Sequence, residues 1–96
     1  MNNTKHTFDG ERSLYKALAS LKTESEVKIF LEDLCTISEI TAMAARLTAA
    51  KMLSDGQTYE QVIAQTNISS ATLSRVSKCV KYGNGYALVL KKKNKD

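Results

Sequence analysis

Residues 58–81 read TYEQVIAQTNISSATLSRVSKCVK, and this stretch decides the fold. Thr58 and Gln61 stand at the spacing of a capping box, in which the Thr oxygen accepts from the amide three residues on and the Gln side chain returns to the cap amide. A helix therefore starts after Thr58, with Val62 and Ile63 on its buried side. Thr66-Asn67-Ile68 breaks it. Asn is one of the few non-glycine residues that tolerate a left-handed backbone, and Ile68 supplies an apolar plug between two helices. Ser69 or Ser70 caps the helix that follows. In it Leu73, Val76 and Val80 recur at helical spacing and face inward, leaving Ser70, Ala71, Thr72, Ser74, Arg75 and Lys78 toward the outside or the rim. Two short helices around a tight turn, the second with a small, hydroxylated and basic outer face, form the pattern of a DNA-reading helix-turn-helix at 58–81.

The major groove explains those residue types. It admits one α-helix, provided the side chains near its N-terminus are short enough for the backbone to approach the base edges. Arg donates two bonds to guanine, so Arg75 is the candidate base reader, while Ser70, Thr72, Lys78 and Lys81 suit phosphate or base contacts. The N-terminus of the same helix adds its own partial positive charge. In a purely structural bundle the same Ser, Thr and Lys residues would simply line a solvated face; the break, the plug and the two caps together favour the nucleic-acid reading.

Composition points the same way. Residues 1–57 hold seven Lys or Arg against eight Asp or Glu, whereas residues 58–96 hold seven against two, so the basic half is the motif half. That asymmetry suits a phosphate-binding surface, although four of the seven cations lie in the tail KKKNKD, where a solubilising end explains them as well. Ninety-six residues make one small domain with a modest core, which an oligomer would enlarge. Cys35 and Cys79 fall among apolar helical residues and read as reduced thiols rather than a disulfide or metal site. His6 sits in the polar start MNNTKHTFDG, read as a disordered segment over residues 1–9. There is no nucleophile with a visible base, no phosphate loop and no apolar run long enough to cross a bilayer, so neither an enzyme, a cofactor site nor a membrane protein is expected, and the cytoplasm is left by elimination.

The rest of the chain is helical in pattern. Leu14, Leu18 and Leu21 share one face of a first helix ending near Lys22. Thr23 with Glu26 forms a capping box that opens a second helix, striped by Val27, Phe30, Leu31 and Leu34. Thr36 with Glu39 opens a third, over residues 37–53, apolar on more than one side through Ile37, Ile40, Met43, Ala44, Leu47, Ala50 and Leu53. A helix so broadly apolar needs neighbours on several sides, and two-fold related copies would supply them. Gly83-Asn84-Gly85 ends the motif's second helix, and residues 86–90 form a last apolar patch before the basic tail at 91–96.

Residues 10–90 resemble the Trp-repressor-like YerC/YecD group of the Trp repressor superfamily. The resemblance is carried by DLCT at 33–36, Glu39-Ile40, Ala45-Arg46-Leu47, Gly56-Gln57-Thr58-Tyr59, Ala71-Thr72-Leu73-Ser74-Arg75-Val76 and Tyr82-Gly83-Asn84. It implies an all-α bundle forming an intertwined homodimer, and a transcriptional regulator, expected to be a repressor, that binds a near-palindromic operator in double-stranded DNA. The superfamily's DNA-contacting positions fall on Tyr59, Ser70, Ala71, Thr72, Ser74, Arg75, Lys78 and Lys81. They also fall on Glu60 and Ile63, which are odd residues for a phosphate surface and are left out.

The same resemblance speaks against tryptophan as corepressor. In the Trp repressor the indole lies between two arginines, with a glycine after the second. Here Arg75 matches the second arginine, but the first position falls on Ala45 and the glycine on Val76. Arg46, one residue along, turns about 100° away from Ala45. The expectation is therefore a regulator without tryptophan; the alternative from another class is a helical protein-interaction module with no DNA role.

Overall fold

The computed structural model describes the backbone of residues 2–94 and the side chains of residues 9–90. His6 and the tail lysines thus lie outside the described side chains. Among the described residues there are six helices and no strand: α1 (Asn2–Ala19), α2 (Glu24–Leu34), α3 (Ile37–Ser54), α4 (Tyr59–Thr66), α5 (Ser70–Tyr82) and α6 (Gly85–Asn94). The all-α expectation holds. The chain gathers into two compact units, residues 1–37 and residues 38–96.

In the first unit α1 begins at Asn2, within the segment set aside above as terminal, and stops at Ala19, before the expected Lys22. The Ser20 amide still donates to the Lys16 carbonyl at 3.1 Å, and its hydroxyl donates to the Ala17 carbonyl at 2.7 Å, closing the last turn. Thr23 caps α2, its hydroxyl accepting from the Glu26 amide at 3.1 Å. The Glu26 carboxylate accepts from the Lys22 amide at 2.8 Å rather than from Thr23, so the expected box is displaced by one residue. Lys28 and Glu32, one turn apart and exposed, pair at 2.7 Å, which is worth about 0.3–0.5 kcal/mol. Leu14 and Leu18 of α1 and Val27, Ile29 and Leu34 of α2 remain exposed in the single chain.

The second unit holds the core. Ala49, Ala50 and Met52 at the end of α3 meet Val62 of α4, Ile68 of the turn, and Leu73 and Val76 of α5. Leu53, Ile63, Val80, Tyr86 and Leu90 pack around them. Ala49 and Ala50 have no side chain beyond Cβ, so other elements approach α3 closely there. Val62 and Leu73 are fully buried, each contributing roughly 1.5–3 kcal/mol by leaving water. Only this end of α3 is buried; Ile37 is 83% exposed, and Met43 and Leu47 are also exposed.

The end of α3 fixes where the motif starts. Gly56 adopts φ +92°, the Gly56 amide donates to the Leu53 carbonyl at 3.0 Å, and the Gln57 amide reaches the Met52 carbonyl at 3.0 Å. This pair of bonds is a Schellman ending, and its left-handed residue favours glycine. The patch at residues 86–90 lies in α6, a helix the sequence reading did not assign, with Tyr86 and Leu90 against the core and Leu88 and Val89 exposed.

Candidate nucleic-acid interface

Local hydrogen bonding sets each functional side chain in place. At α4, Thr58 Oγ1 accepts from the Gln61 amide at 3.1 Å, and Gln61 Oε1 accepts from the Thr58 amide at 2.9 Å, so the capping box is complete. At the other end Asn67 takes the left-handed conformation, φ 59° and ψ 25°. Thr66 braces this corner, its hydroxyl donating to the Val62 carbonyl at 2.8 Å and accepting from the Ile68 amide at 3.3 Å. Ile68 is buried as the plug. Ser69, rather than Ser70, caps α5.

That cap orients α5. Leu73, Val76 and Ser77 are buried and Val80 is half-buried, while Ser70, Ala71, Ser74, Arg75, Lys78 and Lys81 are exposed. At about 100° per residue, these exposed positions span an arc of about 140°. Ser74 and Lys78 lie near its middle and Arg75 at one edge. Within the first turn of α5 the Thr72 amide is taken by the Ser69 side chain and the Leu73 amide by the Ser69 carbonyl. The Ser70 and Ala71 amides are left at the open end, where an oxyanion would be favoured. No acidic residue occupies that turn.

Two expected site residues differ from the rest. Thr72 is half-buried, and its hydroxyl accepts from Ser69 Oγ at 3.0 Å, which places it at the rim. Tyr59 is 44% exposed on the neighbouring helix, at the first position of α4. Ile63, left out of the expected contacts, packs half-buried on the core, while Glu60 is exposed in the first turn of α4.

Arg46 corrects the sequence reading. It was expected to turn away from the site of Arg75, yet both arginines line one cavity of about 510 Å³, with Leu47, Val76, Cys79 and Tyr86 among its apolar walls. The angular argument followed the direction of Cβ and neglected the reach of a four-atom stem along an apolar wall. Among the described residues neither guanidinium has a hydrogen bond or ion pair. Val76, at the position where the resembled repressor carries glycine, is 2% exposed and also belongs to the core. Cys35 and Cys79 are free, half-buried thiols. Among the described residues no cluster of His, Cys, Asp or Glu is fit to hold a metal, and no helix is long and apolar enough to cross a membrane.

The chain is similar to several known proteins. The family described as Trp repressor protein matches residues 11–94. The uncharacterized protein YerC of Bacillus subtilis (strain 168) is 46% identical over 71 residues, covering 74% of this chain and 68% of YerC. Among solved structures, a Trp-repressor relative from Staphylococcus aureus superposes with a TM-score of 0.84 at 33% identity, over 98% of this chain and 95% of that one. A TrpR-like protein from Eubacterium eligens ATCC 27750 gives 0.83 at 38% identity, over 90% of each chain.

Proposed function

The chain belongs to the Trp repressor family, a family of helix-turn-helix DNA-binding regulators, and from this premise we propose that it is a sequence-specific transcriptional regulator acting as a homodimer on a near-palindromic operator. The observation that carries this reading is α5 itself: a capped helix with Ser70, Ala71, Ser74, Arg75, Lys78 and Lys81 on one open face. Arg75 reads a base, Lys78 and Lys81 meet phosphates, and Ser70, Ala71 and Ser74 let the helix approach the groove. Thr72 and Tyr59 contact the backbone from the rim. Regulation is by repression, and no catalytic step is involved.

The homodimer reading rests on the apolar residues that the single chain leaves open: Leu14, Leu18, Val27, Ile29, Leu34, Ile37, Met43 and Leu47. So many large exposed hydrophobic residues on a 96-residue chain are accounted for by a second copy that covers them. Two recognition helices about 34 Å apart would then read successive turns of DNA.

Tryptophan is not the corepressor. Arg46 lines the cavity beside Arg75, so the case rests on Val76, which stands where the resembled repressor carries glycine. Selection from a pool of random duplexes by the purified chain tests the reading. A palindromic consensus is expected; recovery of unselected sequence, with a protein partner bound instead, would favour the interaction-module alternative.

A further inference from the structure

A second cavity, of about 560 Å³, lies between the first turns of α3 and the α4–α5 corner, and Ser38, Thr41, Arg46, Thr66, Asn67 and Thr72 line it. Its polar wall is made of hydroxyls, which donate or accept, the Asn67 amide and one guanidinium. Arg46, which lines both this cavity and the one beside Arg75, is a permanent cation, and no Asp or Glu is part of the lining. Among the described residues no hydrogen bond or ion pair takes up the side chains of Ser38, Thr41 or Arg46. The Thr72 hydroxyl accepts from Ser69 Oγ, which leaves its own proton to donate. Thr66 differs: its proton is committed to the Val62 carbonyl, so it braces the wall and does not bind.

We propose that this cavity seats one phosphate group, held by the Arg46 guanidinium and the hydroxyls of Ser38, Thr41 and Thr72. A fixed fork of N–H donors facing several O–H donors matches an oxyanion. Donors converging from two helices suit the tetrahedral arrangement of phosphate oxygens better than the single plane of a carboxylate. The cavity, of about 560 Å³, has room for a phosphate carried on a larger molecule, either the DNA backbone or a small phosphorylated compound. The first source rests on the DNA-binding reading and the second does not. In both, an anion here ties α3 to the turn that aims α5, because Thr72 sits in the first turn of that helix.

The test uses the full chain. Inorganic phosphate, titrated against a chloride control of equal ionic strength, is expected to shift the amide resonances of residues 38, 41 and 72 in the wild type, and to leave them unmoved in Arg46→Gln and Thr41→Val. Thr41→Val keeps the size and shape of its residue, so its result stands should Arg46→Gln fold poorly. In parallel, the salt dependence of binding to a 30-base-pair duplex is compared for wild type and Arg46→Gln. A slope smaller by about one identifies a backbone phosphate as the occupant. Local shifts with an unchanged slope identify a small phosphate ester. If the wild type binds no DNA, the DNA-binding reading fails and the phosphate titration alone decides this site. Absence of both effects, or shifts that persist in the two variants, overturns the proposal.

Discussion

The Ser69 hydroxyl meets Thr72 twice, accepting from its amide at 3.1 Å and donating to its hydroxyl at 3.0 Å. One small residue thereby starts the recognition helix and fixes the rotamer of the residue at its rim. Ser69→Ala removes both bonds and should lower stability by about 1 kcal/mol, as loss of an N-cap does. Thermal unfolding of the variant should begin several degrees below the wild type; an unchanged midpoint would sink the assignment of Ser69 as the cap.

Asn67 makes the corner between α4 and α5 at φ 59°. Asn67→Gly should be tolerated or slightly stabilising, because glycine adopts this conformation without a Cβ penalty. A branched residue should not be: Asn67→Val is expected to cost about 1–2 kcal/mol. Denaturant titration of the two variants checks the ordering, and equal midpoints would contradict the left-handed corner.

Arg75 and Lys78 should separate by the kind of loss they cause. Arg75→Ala is expected to weaken operator binding by about 1–3 kcal/mol and to relax preference at one base pair. Lys78→Ala should weaken all sequences alike and reduce the salt slope by about one. Binding to operator and scrambled duplexes across a salt series distinguishes them; wild-type base preference in Arg75→Ala removes that residue from base readout.

Assembly should be visible in the concentration dependence of unfolding, since a dimer that buries the open apolar residues of α1, α2 and α3 links folding to association. The midpoint should rise as protein concentration increases. A folded monomer of 10.6 kDa in sedimentation at micromolar concentration excludes the dimer.

L-Tryptophan should give no heat in a calorimetric titration and leave operator affinity unchanged. Overpacking against Val76 is expected to weaken an indole ligand by about 1–3 kcal/mol, or roughly 5- to 150-fold. Micromolar binding would show that Val76 does not exclude an indole from the cavity lined by Arg46 and Arg75.

What was legible in the sequence was the chemistry that acts within four residues. The Thr58–Gln61 box, the left-handed Asn67, the plug at Ile68 and the inward Leu73 and Val76 are all local or periodic signals, and the structure contains each. The helix α6 was hidden because residues 86–90 are apolar without interruption, although Tyr86, Val89 and Leu90 carry the helical spacing. Arg46 was misread because its place beside Arg75 depends on how α3 and α5 pack, which no spacing along the chain encodes. The displaced cap at Glu26 shows the ordinary one-residue slack at helix ends.

The exit from α5 is governed by Gly83. A Cβ placed there would stand 2.8 Å from the Cys79 carbonyl oxygen, whereas a Cβ on Gly85, two residues later, would meet nothing within 4 Å. The two glycines that frame Asn84 therefore differ in their freedom to change. Lineages descending from this chain can replace Gly85 without moving a neighbour, and a side chain there would even favour α6. Gly83 leaves them no such latitude: the obstacle is main chain, and a compensating change in a neighbouring side chain cannot move it aside.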